Sequence, residues 1–281
     1  MKRKLTVASA VFAASVVLGF AAPASFAQNK PAEKPIINPA PTAKDWADIG
    51  KLPDWSGVWN PNISDQDRKH RSEPPPWNAK AAAVIAFQAK ELKEGRPTPL
   101  FTNCLPEAHP SWMLVSHNAM EILFTPGRVT MLGESDAGRL RRIYTDGRKH
   151  PPDVDPTFHG HSIGHWEGDT LVVDTVGIHP QVYIATHEAF GIPNQGNMRV
   201  IERIRLAKPD ELHFTIKIIA PNVLTKEYET TRTWFRQRAR KFDLVEGVCQ
   251  EGWFAPRIDK DGWHIWAPQP HDVGGNRIPP P

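Results

Sequence analysis

The sequence predicts a mainly β protein whose strands close into an antiparallel, up-and-down β-barrel of lipocalin-like type, with one helix near the N-terminus. The 281 residues include 28 Pro and 19 Gly, which argues against a helical bundle because both residues interrupt helices. From about residue 119 onward, apolar side chains recur at every second position in short runs, and turn residues separate these runs. Closing such a meander removes exposed strand edges. A β-sandwich is the alternative.

The first 27 residues have the pattern of a secretory signal peptide. Three basic residues at positions 2–4 precede an apolar stretch over residues 5–20, and Ser25 and Ala27 supply the small residues of a cleavage site. The apolar stretch is shorter than the ~20 residues of a bilayer span, which favours cleavage over anchoring. We expect a mature chain that begins at Gln28, has no membrane span, and is periplasmic or secreted.

The charge of the mature chain argues against nucleic acid as a partner. The whole chain has 34 basic and 31 acidic residues, and the signal contains three basic residues and no acidic one. The mature chain is therefore formally neutral and has no global field to hold phosphates. One local exception is interpreted as a solvated strand end, and it comprises Arg232, Arg236, Arg238, Arg240 and Lys241.

Cys104 and Cys249 are the only two cysteines. Because an exported chain reaches an oxidising compartment, we expect them to form a disulfide. Two buried thiols are the alternative. Neither cysteine has the sequence context of a catalytic nucleophile.

The mature chain divides into a leader and one domain. Residues 28–54 are rich in Pro, Ala, Lys and Asp, which predicts a flexible or surface-bound leader. Residues 55–281 form the barrel domain. Its helix is predicted over residues 77–94, after a Pro run and before Gly95, and residues 95–118 are predicted to be a loop.

The strands follow from residue 119 onward. Pro-Gly, Asp-Gly and Gly-Asp pairs mark the turns between several of them, and a long loop is expected over residues 178–197. The predicted strands cover residues 119–124, 128–133, 140–145, 162–167, 170–176, 198–206, 211–219, 226–236 and 242–249.

One carboxylate interrupts an apolar row. In the strand over residues 198–206, Glu202 shares its face with Val200, Ile204 and Leu206. A buried carboxylate must be paired or hydrogen-bonded, or its pKa must rise. Glu202 is therefore a candidate general acid or base, and the alternative is a structural ion pair, for example with Arg232.

A histidine cluster lies farther toward the N-terminus. His159, His161, His165 and Glu167 have even spacing, so all four side chains share one face if the segment is extended. The HxH pair followed by Glu resembles the first metal motif of the cupins, with a longer spacing to the Glu. One divalent metal ion bound by His159, His161 and His165 is one possibility. A metal-free pocket and ordinary surface positions are the others.

A third cluster contains Tyr144, Asp146 and Arg148 at a strand end. Asp146 and Gly147 are typical of a turn, and Arg148 is expected to pair with Asp146. Tyr144 is predicted to be able to point its hydroxyl group into the barrel. Most of six Trp residues are expected to fill the core or cap the barrel, and a few of them to line a site for an aromatic or terpenoid-sized ligand. These six are Trp55, Trp59, Trp112, Trp166, Trp234 and Trp253.

Three segments carry a resemblance. Residues 124–130, 142–148 and 160–175, the last ending in Val-Val-Asp-Thr, resemble a family of secreted bacterial proteins of the sphingomonad and acidobacterial type. The resemblance covers residues 55–254 and implies export and a shared fold. It implies no catalytic residue.

These observations support an exported enzyme that acts on a small hydrophobic or aromatic molecule at the barrel mouth. The sequence has no phosphate-binding loop, dinucleotide fingerprint, serine-hydrolase elbow or zincin motif. We expect cofactor-free lyase or isomerase chemistry, with Glu202 or Asp146 as base, His161 or His165 as acid, and Tyr144 nearby. The alternatives are a lipocalin-like carrier without catalysis and a cupin-like metal enzyme.

Overall fold

The computed structural model describes residues 39–97, 100, 106–134 and 139–245, together with the backbone of two strands over residues 254–258 and 264–268. The predicted signal peptide and both cysteines lie outside the described residues. The predicted disulfide therefore stays a prediction.

The described helices and strands are numbered in chain order. The helices are α1 (Ala43–Ile49), α2 (Ile63–Ser72), α3 (Ala79–Lys93) and α4 (Ser111–Val115). The strands are β1 (Val58–Pro61), β2 (Met120–Thr125), β3 (Arg128–Gly133), β4 (Arg139–Tyr144), β5 (His161–Glu167), β6 (Thr170–Val176), β7 (Tyr183–His187), β8 (Phe190–Pro193), β9 (Arg199–Lys208), β10 (Glu211–Ile219), β11 (Tyr228–Arg236), β12 (Phe254–Ile258) and β13 (His264–Pro268).

Nine of the described strands close into a barrel, as the sequence predicts. Their order around the barrel is β1-β11-β10-β9-β6-β5-β4-β3-β2. Most neighbours follow each other in the chain and run antiparallel, but β4 and β5 pair in parallel through Ile143–Ser162 and Tyr144–Ile163. The end of β4 therefore lies beside the start of β5, and the segment between them leaves the barrel wall and returns to it at the same level. The hairpins β7–β8 and β12–β13 form separate two-stranded sheets.

Period-two patterning explains which side chains fill the barrel. In β10, Leu212, Phe214, Ile216 and Ile218 are all buried, and the residues between them are only partly buried. Neighbouring strands continue this inward row, because Glu202 pairs with Ile216 in the register of β9 and β10. One face of each strand thus forms the core, and the other face forms the outer wall.

The two ends of the barrel differ in polarity. At the end that we call the apolar end, the Trp55 ring contacts Phe124 and Trp166, with ring centroids 5.7 and 5.2 Å away. Trp59 and Trp234 are fully buried near this end. The inward positions at the opposite end, the polar end, include Arg139, Arg141 and Glu202, all of them buried. The apolar end also holds one buried charge, Arg236, whose guanidinium lies 4.6 Å from the centre of the Trp59 ring.

Helix α4 packs inside the polar end. All five of its residues are buried. A Cβ atom added to Gly133, an inward position of β3, would lie 2.6 Å from Cζ2 of Trp112, so the indole ring rests on this glycine. On the other side of the helix, the Leu114 carbonyl accepts a hydrogen bond from Arg232 of β11. The helix therefore contacts inward-facing residues of both β3 and β11.

The helical part is larger than predicted. Helix α3 lies within the predicted helix over residues 77–94, and the Asn78 side chain caps it by accepting from the Ala81 N–H group at 2.9 Å. Helix α1 lies in the predicted leader, and α4 lies in the predicted loop over residues 95–118. Helix α2 was not predicted either. These helices are short, so their sequence signal is weak.

The strand predictions differ at several places. Strands β1, β12 and β13 were not predicted. The hairpin β7–β8 occupies part of the predicted loop over residues 178–197. Of the predicted strand over residues 242–249, residues 242–245 are not in a strand, and the rest lies outside the described residues. None of the helices that the structure describes is both long and apolar enough to cross a membrane.

Candidate functional site

Glu202 forms an ion pair in the middle of the barrel. Its carboxylate is fully buried, and Arg141, 1% exposed, donates to it from both terminal nitrogens. Arg141 Nη1 lies 3.0 Å from Glu202 Oε1, and Nη2 donates to Oε2. This fork-to-carboxylate geometry is the strongest form of a charge-assisted hydrogen bond. The predicted polar break in the apolar row is therefore a paired carboxylate, and its partner is Arg141 rather than Arg232.

Two hydroxyl groups hold the Arg141 guanidinium in place. Arg141 Nη2 lies 3.1 Å from Thr175 Oγ1 and 3.4 Å from Ser162 Oγ. Ser162 and Thr175 also share a hydrogen bond of 2.8 Å across β5 and β6. All of these groups are buried, so the guanidinium has a fixed orientation toward Glu202.

A histidine from the loop before α4 meets the ion pair. His109 is fully buried, and its Nε2 atom lies 3.6 Å from Glu202 Oε2. Neither ring nitrogen has a hydrogen-bond partner among the described residues. Burial, together with the charge of Arg141, lowers the pKa of His109 well below its usual value. The imidazole is therefore neutral at pH 7, with one nitrogen available to accept a proton.

His159 is a second neutral imidazole beside this site. Its ring packs edge-on against Trp112, with 5.7 Å between the ring centroids. Burial, with the positive charges of Arg141 and Arg139, lowers its pKa to about 4. The residue is partly exposed, and its Nδ1 atom has no hydrogen-bond partner among the described residues. His159 thus connects the buried groups with the surface.

These side chains form what we call the interior cluster. It consists of Glu202, Arg141, His109, His159 and Trp112. Besides the imidazole nitrogens, Trp112 Nε1 and Arg141 Nε are buried donors without a partner among the described residues. Polar groups in a protein core are nearly always hydrogen-bonded, so several open donors and acceptors in one place are typical of a site for water or a ligand.

The other predicted catalytic residues lie on the outer wall. Tyr144 stacks on His161, with ring centroids 5.5 Å apart, and Arg148 lies 3.9 Å above the Tyr144 ring. Asp146 pairs with Arg148 and not with a residue of the interior cluster. The expectation that the Tyr144 hydroxyl group points into the barrel is wrong, because Tyr144 shares the outward face of β4 with the exposed residues Leu140 and Arg142.

The three predicted metal ligands do not meet. His159 packs on Trp112, His161 Nδ1 lies 2.8 Å from His150 Nδ1, and exposed His165 lies 3.2 Å from Glu167. Gly160 has φ of +65°, so the chain turns between His159 and β5 and the even spacing no longer puts the side chains on one face. Across the described ranges, no three His, Cys, Asp or Glu side chains are arranged to hold a metal ion.

The basic stretch also differs from its interpretation. Arg232 and Arg236 are 1% and 9% exposed and point into the barrel, whereas Arg238 is exposed and pairs with Asp210. Arg232 and Arg236 are four residues apart and share the inward face of β11, so only the residues after the strand form a solvated strand end.

Sequence reasoning missed Arg141 and His109 as members of the interior cluster, and it named Trp112 only as one of six Trp residues expected to fill the core or line a site. Arg141 was part of a predicted strand but was not recognised as the partner of Glu202. His109 and Trp112 lie in the predicted loop, where the run Trp-Met-Leu-Val after a proline is the signal of a buried segment. An apolar run inside a supposed surface loop points to a segment that packs into the core.

Comparison with known protein families gave no matching family model, and comparison with curated proteins gave no matching relative.

Proposed function

We propose that this protein is an exported enzyme that performs acid–base chemistry, a lyase or isomerase step, on a small hydrophobic or aromatic molecule at the polar end of the barrel. The observation that carries the proposal is His109: a fully buried, neutral imidazole beside a buried carboxylate, with both ring nitrogens open. A general base needs a pKa low enough to leave it unprotonated and a partner that stabilises it once it is protonated.

Glu202 supplies that partner. The 3.6 Å between His109 Nε2 and Glu202 Oε2 is longer than a hydrogen bond, and catalytic hydrogen bonds are often long in the absence of substrate. With its proton on Nε2, facing the carboxylate, His109 keeps the lone pair of Nδ1 for the substrate. The same arrangement of carboxylate, imidazole and substrate operates in catalytic triads.

The reaction we propose begins at a carbon next to a carbonyl group. His109 Nδ1 takes the proton, and the electron pair of the C–H bond moves toward the carbonyl oxygen as an enolate forms. The unpartnered N–H groups of Trp112 Nε1 and Arg141 Nε donate to that oxygen. In an isomerisation, His109 returns the proton to another carbon. In an elimination, the leaving group departs from the next carbon with its bonding electron pair and takes the proton from His109.

The apolar walls suit the proposed substrate class. Ile216, Val173 and Val200 border Glu202 in the sheet register, and all three are buried. An apolar substrate displaces water there and strengthens each electrostatic contact inside the site.

Proton exchange from carbon tests the proposal directly. The full-length precursor is expressed with export, and the processed protein is incubated in D₂O with small apolar ketones and aldehydes, some of them aromatic. We expect deuterium to enter the carbon next to the carbonyl group of at least one compound, as followed by NMR. His109→Gln should lower the exchange rate by about 10²–10⁴-fold, the usual contribution of a general base.

His213→Gln is the matched control, since His213 lies on the outward face of β10 beside Glu211. Its exchange rate should equal that of the wild type. Saturable binding of a compound without exchange would instead support the carrier alternative. Exchange that survives His109→Gln and Glu202→Gln would contradict the proposed site.

A further inference from the structure

Arg232 is a buried cation that no described carboxylate neutralises. It lies on the inward face of β11 opposite Phe214 and is 1% exposed. The other buried arginines of the barrel have acidic partners: Arg139 lies 2.8 Å from Glu107, Arg141 pairs with Glu202, and Arg236 lies 3.1 Å from Asp54. Within the described ranges, Arg232 has no carboxylate at ion-pair distance, and a buried charge without a counter-charge is costly.

Hydrogen bonds to neutral groups fix the guanidinium and leave one nitrogen open. Nε donates to the Leu114 carbonyl at 2.9 Å, and Nη1 donates to Thr230 Oγ1 and to the Thr231 carbonyl, both at 2.8 Å. Nη2 is buried and has no hydrogen-bond partner among the described residues. The Tyr228 hydroxyl group also interacts with the Arg232 guanidinium, and the N–H groups of Nη2 still have room for a further acceptor beside it.

A second cation adds to the positive charge at this point. Lys69 of α2 is 6% exposed, and its Nζ atom donates to the Thr231 carbonyl at 2.9 Å. Its carboxylate partner, Asp65, is 3.9 Å away. Glu73 and Asp65 act on Arg232 from beyond ion-pair distance, and Thr230 Oγ1, which accepts from Arg232, donates to Glu73 Oε2 at 3.0 Å. The carboxylate nearest to Lys69 is thus at the limit of ion-pair distance, and Arg232 has no carboxylate in direct contact.

We infer that Arg232 Nη2 binds the carboxylate group of a small apolar molecule. Because Nε and Nη1 already donate to the protein, the contact is made by Nη2 to one carboxylate oxygen. Leu114 and Phe214 supply apolar surface beside it, and both are fully buried. A carboxylate at this position supplies the counter-charge that the described residues lack.

This inference rests on the proposed function in one respect, that the bound acid is the substrate. Arg232 and the interior cluster contact the same short segment, because Leu114 accepts from Arg232 and His109 lies beside Glu202. A substrate with a carboxylate at one end and a reacting carbon at the other would span this segment. The substrate class is then an apolar, carboxylate-bearing carbonyl compound.

Titration calorimetry of the exported full chain with sodium benzoate tests the site. We expect one benzoate per chain with saturation, and sodium phosphate should bind more weakly. Arg232→Met should weaken benzoate binding at least 10-fold, and Arg232→Lys should weaken it by less. The control is Arg205→Met, an exposed position on the outward face of β9, which should bind like the wild type.

A crystal structure of the wild-type protein with p-bromobenzoate tests the carboxylate site even if Arg232→Met does not fold. We expect an anomalous bromine peak for a ligand whose carboxylate contacts Arg232 Nη2. Equal benzoate affinity in folded Arg232→Met, absence of saturable binding in the wild type, or tighter binding of phosphate would each overturn the inference.

The two proposals can fail separately. His109→Gln should lower the proton-exchange rate by about 10²–10⁴-fold and leave benzoate binding intact, whereas Arg232→Met should weaken binding even if no exchange is ever found. Benzoate binding without proton exchange would support the carboxylate site and contradict the proposed enzymatic activity.

Discussion

Arg141 and Glu202 meet inside the barrel through two hydrogen bonds, although β5 and β6 lie between their strands. The contact exists only when the sheet is curved and closed, so it ties the barrel across its interior. Both side chains are almost completely buried, which makes the pair sensitive to the loss of one member.

We predict that Arg141→Met destabilises the protein by about 3–5 kcal/mol, because it leaves the Glu202 carboxylate buried without a counter-charge. The double variant Arg141→Met, Glu202→Met should lose less, since it leaves no buried charge behind. Urea unfolding of the three proteins gives the free energies. Arg199→Met is the control, because Arg199 pairs with Asp174 on the outer wall and such exposed pairs contribute about 0–1 kcal/mol. A loss in Arg141→Met no larger than in Arg199→Met would contradict the prediction.

The depressed pKa of His159 predicts a pH-dependent part of stability. Its pKa falls from 6.5 to about 4 on folding, so the unfolded chain binds the proton first as the pH drops. The stability contribution is present above pH 6.5 and is lost as the pH falls toward 4. A shift of this size corresponds to roughly 3 kcal/mol.

Comparison of the wild type with His159→Gln isolates this part. Between pH 6.5 and pH 4, the unfolding free energy of the wild type should fall by roughly 3 kcal/mol more than that of the variant. The other titrating groups are common to both proteins, so their effects cancel in this comparison. Urea unfolding at several pH values measures it. A difference that stays constant over this range would show that His159 titrates normally in the folded protein.

Local pattern was enough to predict the barrel and the buried position of Glu202. The alternation in residues 198–206 and 211–219 places one face in the core whatever the arrangement of the other strands. The partner of Glu202 was out of reach of that reasoning. Arg141 belongs to a strand three positions away in the barrel order, and which inward residues meet across the interior depends on closure and register.

The histidine cluster failed for a local reason. His161, His165 and Glu167 do share one face of β5, as their spacing predicts, but that face is the outer wall. The positive φ of Gly160 rotates the chain ahead of the strand, and His159 enters the interior instead. Period-two spacing therefore predicted a shared face correctly inside the strand and wrongly across the turn.

Helix α4, and with it the position of His109, was not predicted because the helix is short. A helix of five residues is too short to display a helical period, and its apolar residues are explained only by the barrel into which it packs. The candidate site therefore depended on a tertiary arrangement that a single sequence does not encode in any local pattern.

Gly133 should be intolerant of any side chain, because Trp112 of α4 packs on it. A methyl group there would lie 2.6 Å from the indole ring and 3.2 Å from Cβ of Arg139, so α4 must move. We expect Gly133→Ala to cost about 1–3 kcal/mol, as overpacked cores do, and to slow proton exchange by displacing His109.

The urea midpoint and the exchange rate of Gly133→Ala measure both effects. Gly50→Ala is the control: Gly50 has an ordinary helical backbone, and its added Cβ would come no closer than 3.4 Å to Ala47. An unchanged midpoint for Gly133→Ala would mean that Trp112 does not occupy this position in solution.

The predicted disulfide has a direct test in the exported protein. Intact mass spectrometry should give the mass of residues 28–281 less two hydrogens, and reduction should restore them. In the loop-entropy model, a bridge that closes so long a loop restricts the unfolded chain and contributes about 4–5 kcal/mol. The double variant Cys104→Ala, Cys249→Ala should therefore unfold at a clearly lower urea concentration than the oxidised wild type. If the wild-type chain instead reacts with a thiol reagent at both cysteines after unfolding without reductant, the two residues are free thiols, and the double variant should then lose only the small packing contribution of two side chains.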